Sequence, residues 1–230
     1  MRKIVFAAVA VALLAACSGG SSKPDTAKDQ AKADDIVLRA SDLPDGFTPA
    51  DSSSSSSSAS DDSSDPTKAQ LDKCLEDATG VSSADDSAHT TAKAESKFEQ
   101  GSGLASVEVE GEAQLYDEDA ILVKELAGIQ GPSFATCLQS AFVDGFNKQG
   151  ATDVNLTVTP TDVGGIGDGG AGYLVSGPLT IEGVPVTLAI ELGFVRAGRT
   201  ALSSFVTALQ GAADHDLLTK SLTAMAGRAV

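Results

Sequence analysis

Between residues 171 and 209 apolar side chains recur at every second position, and two turn-forming dipeptides punctuate the pattern. Val184, Val186, Leu188, Ile190, Leu192 and Phe194 alternate with other neighbours. A period of two places all six on one face of an extended strand. Glu182-Gly183 and Ala197-Gly198 flank that stretch and suit two-residue hairpin turns. Residues 171–181, 184–196 and 200–209 therefore read as an antiparallel meander. A chain carrying such a meander has to cover at least one apolar sheet face.

The first half supplies more strands and the cover. Ala92, Ala94, Ser96 and Phe98 alternate with Lys93, Glu95, Lys97 and Glu99, and Val107 to Leu115 alternate with Glu108, Glu110, Glu112 and Gln114. This predicts a hairpin with one dry and one wet face. A turn at Ser102-Gly103 sets Lys97 opposite Glu108 and Lys93 opposite Glu112, pairs worth a few tenths of a kcal/mol each. Val154, Leu156 and Val158 mark a further strand ending at Pro160. Asp65-Pro66 opens a helix that Gly80 stops, with Leu71, Cys74, Leu75 and Ala78 on one stripe. Residues 117–127 and 133–149 read as two helices broken at 128–132. The second carries Phe134, Cys137, Leu138, Ala141, Phe142 and Gly145 on one side, and Asp214 caps a closing helix with Leu218, Leu222 and Met225 inward. The expected fold class is α+β, an antiparallel sheet of five or six strands with helices packed on it.

Targeting comes from the N-terminus. Arg2 and Lys3 precede an apolar run from Ile4 to Ala16, too short for a permanent span and laid out like a secretory signal peptide. Leu14-Ala15-Ala16-Cys17 resembles the lipobox of bacterial lipoproteins, in which the cysteine is acylated and the peptide is cut just before it. Residues 1–16 are thus expected to be a signal peptide, and 17–33 a lipidated N-terminus and disordered tether. Residues 34–230 are expected to form one domain, with a serine-rich flexible loop at 50–65. The protein is expected at the cell membrane, lipid-anchored on its extracytoplasmic face.

Loss of Arg2 and Lys3 leaves 14 basic against 32 acidic residues, a formal charge of −18. Phosphate binding needs a basic footprint, so nucleic acid is excluded as a partner, and attachment to the membrane falls to the lipid. Cys74 and Cys137 remain after Cys17 is acylated, an even count that outside the cytoplasm reads as a disulfide. The chain-entropy model gives about 4 kcal/mol for a loop of this size.

Motifs of catalysis or cofactor binding are weak. Gly165-Ile166-Gly167-Asp168-Gly169-Gly170 fits G-x-G-x-x-G, but a strand follows it where a dinucleotide site needs a helix, so a mobile inter-strand loop is expected. His89 and His215, the two histidines, read as solvated or capping. Asp61-Asp62-Asp65 and Asp85-Asp86 lack calcium-loop spacing and read as solvated loops. No cofactor, metal or catalytic residue is assigned, and the chain is not expected to be an enzyme.

Ala40-Ser41-Asp42-Leu43-Pro44-Asp45-Gly46-Phe47-Thr48 resembles the opening of many actinobacterial secreted lipoproteins, and the tilt towards Ala, Gly and Asp is similar to proteins of high-GC Gram-positive bacteria. Cysteine-leucine helices bracket a first hairpin in that group, and a Gly-Asp turn, here Gly167-Asp168, leads into its final meander. Over residues 34 to 228 the chain is similar to the LpqN-type lipoproteins and to the extracellular sensor domain of the mycobacterial serine/threonine kinase H. That kinase domain has two disulfides where this chain has two domain cysteines, Cys74 and Cys137. The anchor, the tether, the disulfide and the lack of a catalytic set lead to the expectation of a non-enzymatic, sensor-like or ligand-binding domain, and a monomer is expected. Two other roles are expected as alternatives: carrying lipids or other apolar envelope molecules, and docking to a membrane-protein partner.

Overall fold

In a computed structural model the described residues are 26–50 and 66–230. The signal peptide, Cys17 and nearly all of the serine-rich segment lie outside them, as does Asp65, the expected cap. The elements run α1 (Thr26–Ile36), β1 (Thr48–Pro49), α2 (Pro66–Thr79), α3 (Ser83–His89), β2 (Thr90–Gln100) and β3 (Val107–Tyr116). They continue with α4 (Ala120–Ile129), α5 (Pro132–Lys148), β4 (Thr157–Thr161), β5 (Gly169–Ile181), β6 (Val184–Ala197), β7 (Thr200–Leu209) and α6 (His215–Ala229).

The sheet is antiparallel throughout, in the order β1-β2-β3-β7-β6-β5-β4. It has seven strands rather than five or six. The addition is β1, two residues long and containing Pro49, a length and composition that fit only a sheet edge. The meander closes with two-residue turns at Glu182-Gly183, where both φ are positive, and at Gly198-Arg199, one residue later than the dipeptide expected.

Helices cover both faces. On β6, Val186, Leu188, Ile190 and Leu192 face a cluster that includes Cys74, Phe134, Leu138 and Phe142 of α2 and α5. Val195 and Ala197 face the other way, with Ala33 and Ile36 of α1 and Leu218, Leu222 and Met225 of α6. A row of small residues, Ser96, Gly111, Ser204, Gly193 and Gly172, crosses five strands in register on the α6 side. A Cβ on Gly193 would sit 2.5 Å from Leu222, and one on Gly111 2.6 Å from Leu38. The row is the groove in which α6 and the segment after α1 lie.

α1 departs from the expected tether, which overlaps the described residues from Thr26 onward. Asp29, Ala33 and Ile36, at i, i+4 and i+7, are buried. Asp29 pairs with Arg199 of the β6–β7 turn, and Lys32 Nζ donates to the Ala229 carbonyl at 3.0 Å. Asp42, in the stretch that resembles the lipoprotein opening, accepts from Arg228 Nη2 at 2.8 Å, while the same guanidinium caps Ile36 and Val37 at the end of α1.

The β2–β3 hairpin is paired two residues away from the expected register: Lys97 lies opposite Glu110, and Lys93 opposite Gln114. The six residues from Gly101 to Ser106, including a 3-10 turn, replace a two-residue link. The expected ion pairs form diagonally, with Lys97–Glu108 at 2.7 Å and Lys93–Glu112 at 3.2 Å. Cys74 and Cys137 form a disulfide with a Cα separation of 5.7 Å, joining α2 to α5 over one sheet face. Helix α4 continues through Gly128 rather than breaking there. A Cβ on Gly128 would meet the Ala78 carbonyl oxygen at 2.6 Å, so that glycine lets α4 approach the end of α2.

Candidate functional site

Helix α4 lies over β3, β7 and β6, and between them is a cavity of about 60 Å³. Leu122, Glu125, Leu126 and Ile129, at i, i+3, i+4 and i+7, form the roof. The floor is made by Glu112, Gln114 and Tyr116 of β3, Phe194 and Arg196 of β6, and Ala201 and Ser203 of β7, with Leu75 of α2 at one side. Two bonds fix the end of α4: Tyr173 donates its hydroxyl to the Ile129 carbonyl, and Gln130 Nε2 donates to the Gly170 carbonyl at 2.9 Å.

The cavity's polar end is a network centred on Asp86, which is 2 % exposed. Asp86 accepts from the Tyr116 hydroxyl and from Gln114 Nε2 at 3.3 Å, and Gln114 Nε2 also donates to Thr90 Oγ1 at 2.6 Å. The carboxyls of Asp86 and Glu125 lie close enough to act on each other, and that proximity favours a proton on Glu125. Burial pushes Glu125 up to about 8, helped by the charge of Asp86. Burial raises Asp86 as well, against the bonds from Tyr116 and Gln114 that stabilise its ionised form. Tyr116, wholly buried beside these acids, is raised far above its ordinary value, first by burial and then by the Glu125 and Asp86 charges.

A second group lies along β3. Burial pushes Glu112 up to about 8, with Lys93 opposing, and Glu110 to about 7, with Lys97 opposing. Burial works to depress Lys93, but the Glu112 and Glu95 carboxylates outweigh it and raise that amine. Arg196, on the far wall, stands 3.6 Å from both Asp119 and Asp168.

Asp85-Asp86 is therefore not a solvated loop. Ser82 caps α3, Asp85 completes the capping box, and Asp86 turns inward. Alternation assigned Glu110, Glu112 and Gln114 to a wet face, yet all three are buried, with Lys97 beside Glu110, Lys93 beside Glu112 and Asp86 of α3 beside Gln114. The one available signal was Glu125, a charged residue within the apolar stripe of a short helix. The two histidines are not brought together: His89 Nδ1 lies 2.8 Å from Asp117, and His215 Nδ1 lies 3.3 Å from the buried Glu191. The glycine-rich loop is followed by β5, as expected, but it is tied down rather than loose. Asp168 bonds the Arg196 carbonyl through its N–H at 2.7 Å and accepts from the Gly198 N–H at 2.6 Å.

Among the described residues no three or more His, Cys, Asp and Glu side chains are grouped to hold a metal, and no helix is long and apolar enough to cross a membrane. No curated protein and no solved structure is significantly similar to the chain. Residues 1–18 match the prokaryotic membrane lipoprotein lipid attachment site, a segment that contains Cys17. The chain is therefore a bacterial lipoprotein, held at a membrane through an attached lipid.

Proposed function

We propose that the protein is an extracytoplasmic, lipid-anchored binding protein, acylated at Cys17, whose domain holds a small ligand in the cleft beneath α4. The supporting observation is the cleft: apolar walls from Leu122, Leu126, Ile129 and Phe194 meet a few convergent polar groups, the composition usual for a ligand site. It is proposed as a binding site and not a catalytic one. The carboxyl pair is satisfied internally, and each histidine is held by a different acid on a different part of the fold. Kinship with the LpqN-type lipoproteins, inferred from residues 40–48, agrees with such a role.

The size of the cleft sets the class of ligand proposed for it. At roughly 10–15 Å³ for each water-sized space, a cavity of about 60 Å³ admits an organic group of only a few heavy atoms, and an acyl chain needs far more.

Ligand-observed NMR of the full chain against organic fragments of this size tests the proposal. Fragments that bind the wild type and fail to bind Ser203→Phe, which fills the cleft, are the expected result. An empty hit set, or one unchanged by Ser203→Phe, would overturn it.

A further inference from the structure

Two ionisable groups around the cleft already face groups of opposite charge within the protein. Glu112 has Lys93 at 3.2 Å, and Arg196 has Asp119 and Asp168. Lys93 is also engaged by Glu95 at 2.6 Å. Asp86 and Glu125 differ, because neither takes part in any ion pair among the described residues. The two carboxyls instead face each other, and burial favours the neutral form of Glu125. A carboxyl pair of which one member is buried and the other half-buried costs free energy without a cation unless a proton or a positive ligand compensates it. Of the two, Glu125 lines the cleft while Asp86 lies behind it, bonded to Tyr116 and Gln114. Glu125 is thus the acid of the cleft lining that has no cation beside it, whereas Glu112 and Arg196 on the same lining each face a group of opposite charge.

We infer that the cleft takes a small organic cation, an alkylammonium of a few carbons whose nitrogen replaces the proton on Glu125. This rests on the binding role proposed above and names its ligand class. The alkyl group lies against Leu122, Leu126 and Phe194, and the ammonium group donates to the Glu125 carboxylate. The exchange balances: one cation enters, one proton leaves to solvent, and the charge of the site is unchanged. A neutral molecule of the same shape leaves the proton in place and gains only the apolar contact. The charged and titratable groups around Glu125 are Asp86 of α3, Glu112 and Tyr116 of β3 and Arg196 of β6, with Lys93 of β2 behind them on Glu112. Raised as Glu125 is towards neutrality by burial and by Asp86, the exchange becomes easier as pH rises from 6 to 8. An alkylamine stays protonated through that interval, because its ordinary value lies near that of lysine, about 10.4.

The test is isothermal titration of the full chain in a non-ionic detergent with n-butylammonium and, in parallel, 1-butanol. Three results are expected: butylammonium binds at least 10-fold more tightly than butanol, its affinity rises between pH 6 and 8, and close to one proton is released per ligand at pH 6 with less released as pH approaches 8. Glu125→Gln should weaken butylammonium at least 10-fold and leave butanol unchanged. The wild-type pH series decides the matter by itself if that variant does not fold. Equal affinities for the two probes, or a butylammonium affinity flat with pH, would overturn the cation while leaving the cleft as a binding site. Failure of both probes to bind would overturn the cation together with the cleft.

Discussion

At the scale of single residues, the acids of β3 and α4 set how the molecule responds to pH. Glu112 is held near 8, Glu125 near 8 and Glu110 near 7, each first by burial. Between the ordinary carboxylate value of about 4.3 and these raised values, the folded protein keeps protons that the unfolded chain has lost. Stability therefore falls as pH rises through that window, at up to about 1.4 kcal/mol per unit for each group. Glu112→Gln removes one such group while preserving its shape. Urea denaturation at pH 5 and pH 8 should show the wild type losing stability on going to pH 8, with the variant losing less by on the order of 1–2 kcal/mol. Equal losses in the two proteins would mean that Glu112 is ionised in the fold. These acids were hidden in the sequence by the alternation itself. Period two tells which face a side chain is on, but not whether a helix lies over that face.

At the scale of elements, the strands and most helices were legible because their periods are long and their stops are specific. The stripe from Phe134 to Gly145, the cap at Asp214 and the turn at Glu182-Gly183 all lie where the pattern places them. Helix α1 was not legible, since its buried stripe is Asp29, Ala33 and Ile36, and its first member is held by Arg199 from a distant turn. The hairpin register was misplaced for a related reason: diagonal pairs satisfy Lys93 and Lys97 as well as directly opposed ones. The groove beneath α6 depends on absent side chains in several strands, which no local pattern displays. Gly193→Ala should therefore destabilise the domain by about 1–3 kcal/mol through overpacking, because the new methyl would lie 2.5 Å from Leu222. A calorimetric melting temperature equal to the wild type's would show that α6 shifts at no cost.

At the scale of the whole molecule, three cysteines divide the work. Cys17 lies in the segment that matches the lipid attachment site, while Cys74 and Cys137 join two helices over the sheet face that carries the cleft. Replacing Cys17 by Ala should abolish labelling by a palmitate analogue and release the protein from the membrane fraction; labelling at the wild-type level would show another attachment residue. The anchor was legible because its signal is local and chemical. The cleft was not, because α2, α4, β3, β6 and β7 build it from distant stretches of sequence. The fragment experiment can be made most direct by recording backbone amide shifts of the ¹⁵N-labelled full chain as a binding fragment is added. Binding in the cleft predicts shifts concentrated at Leu122 to Ile129, at Glu112 to Tyr116 and around Ser203, all lost in Ser203→Phe. Shifts confined to other surfaces, or no shifts with any fragment, would contradict it.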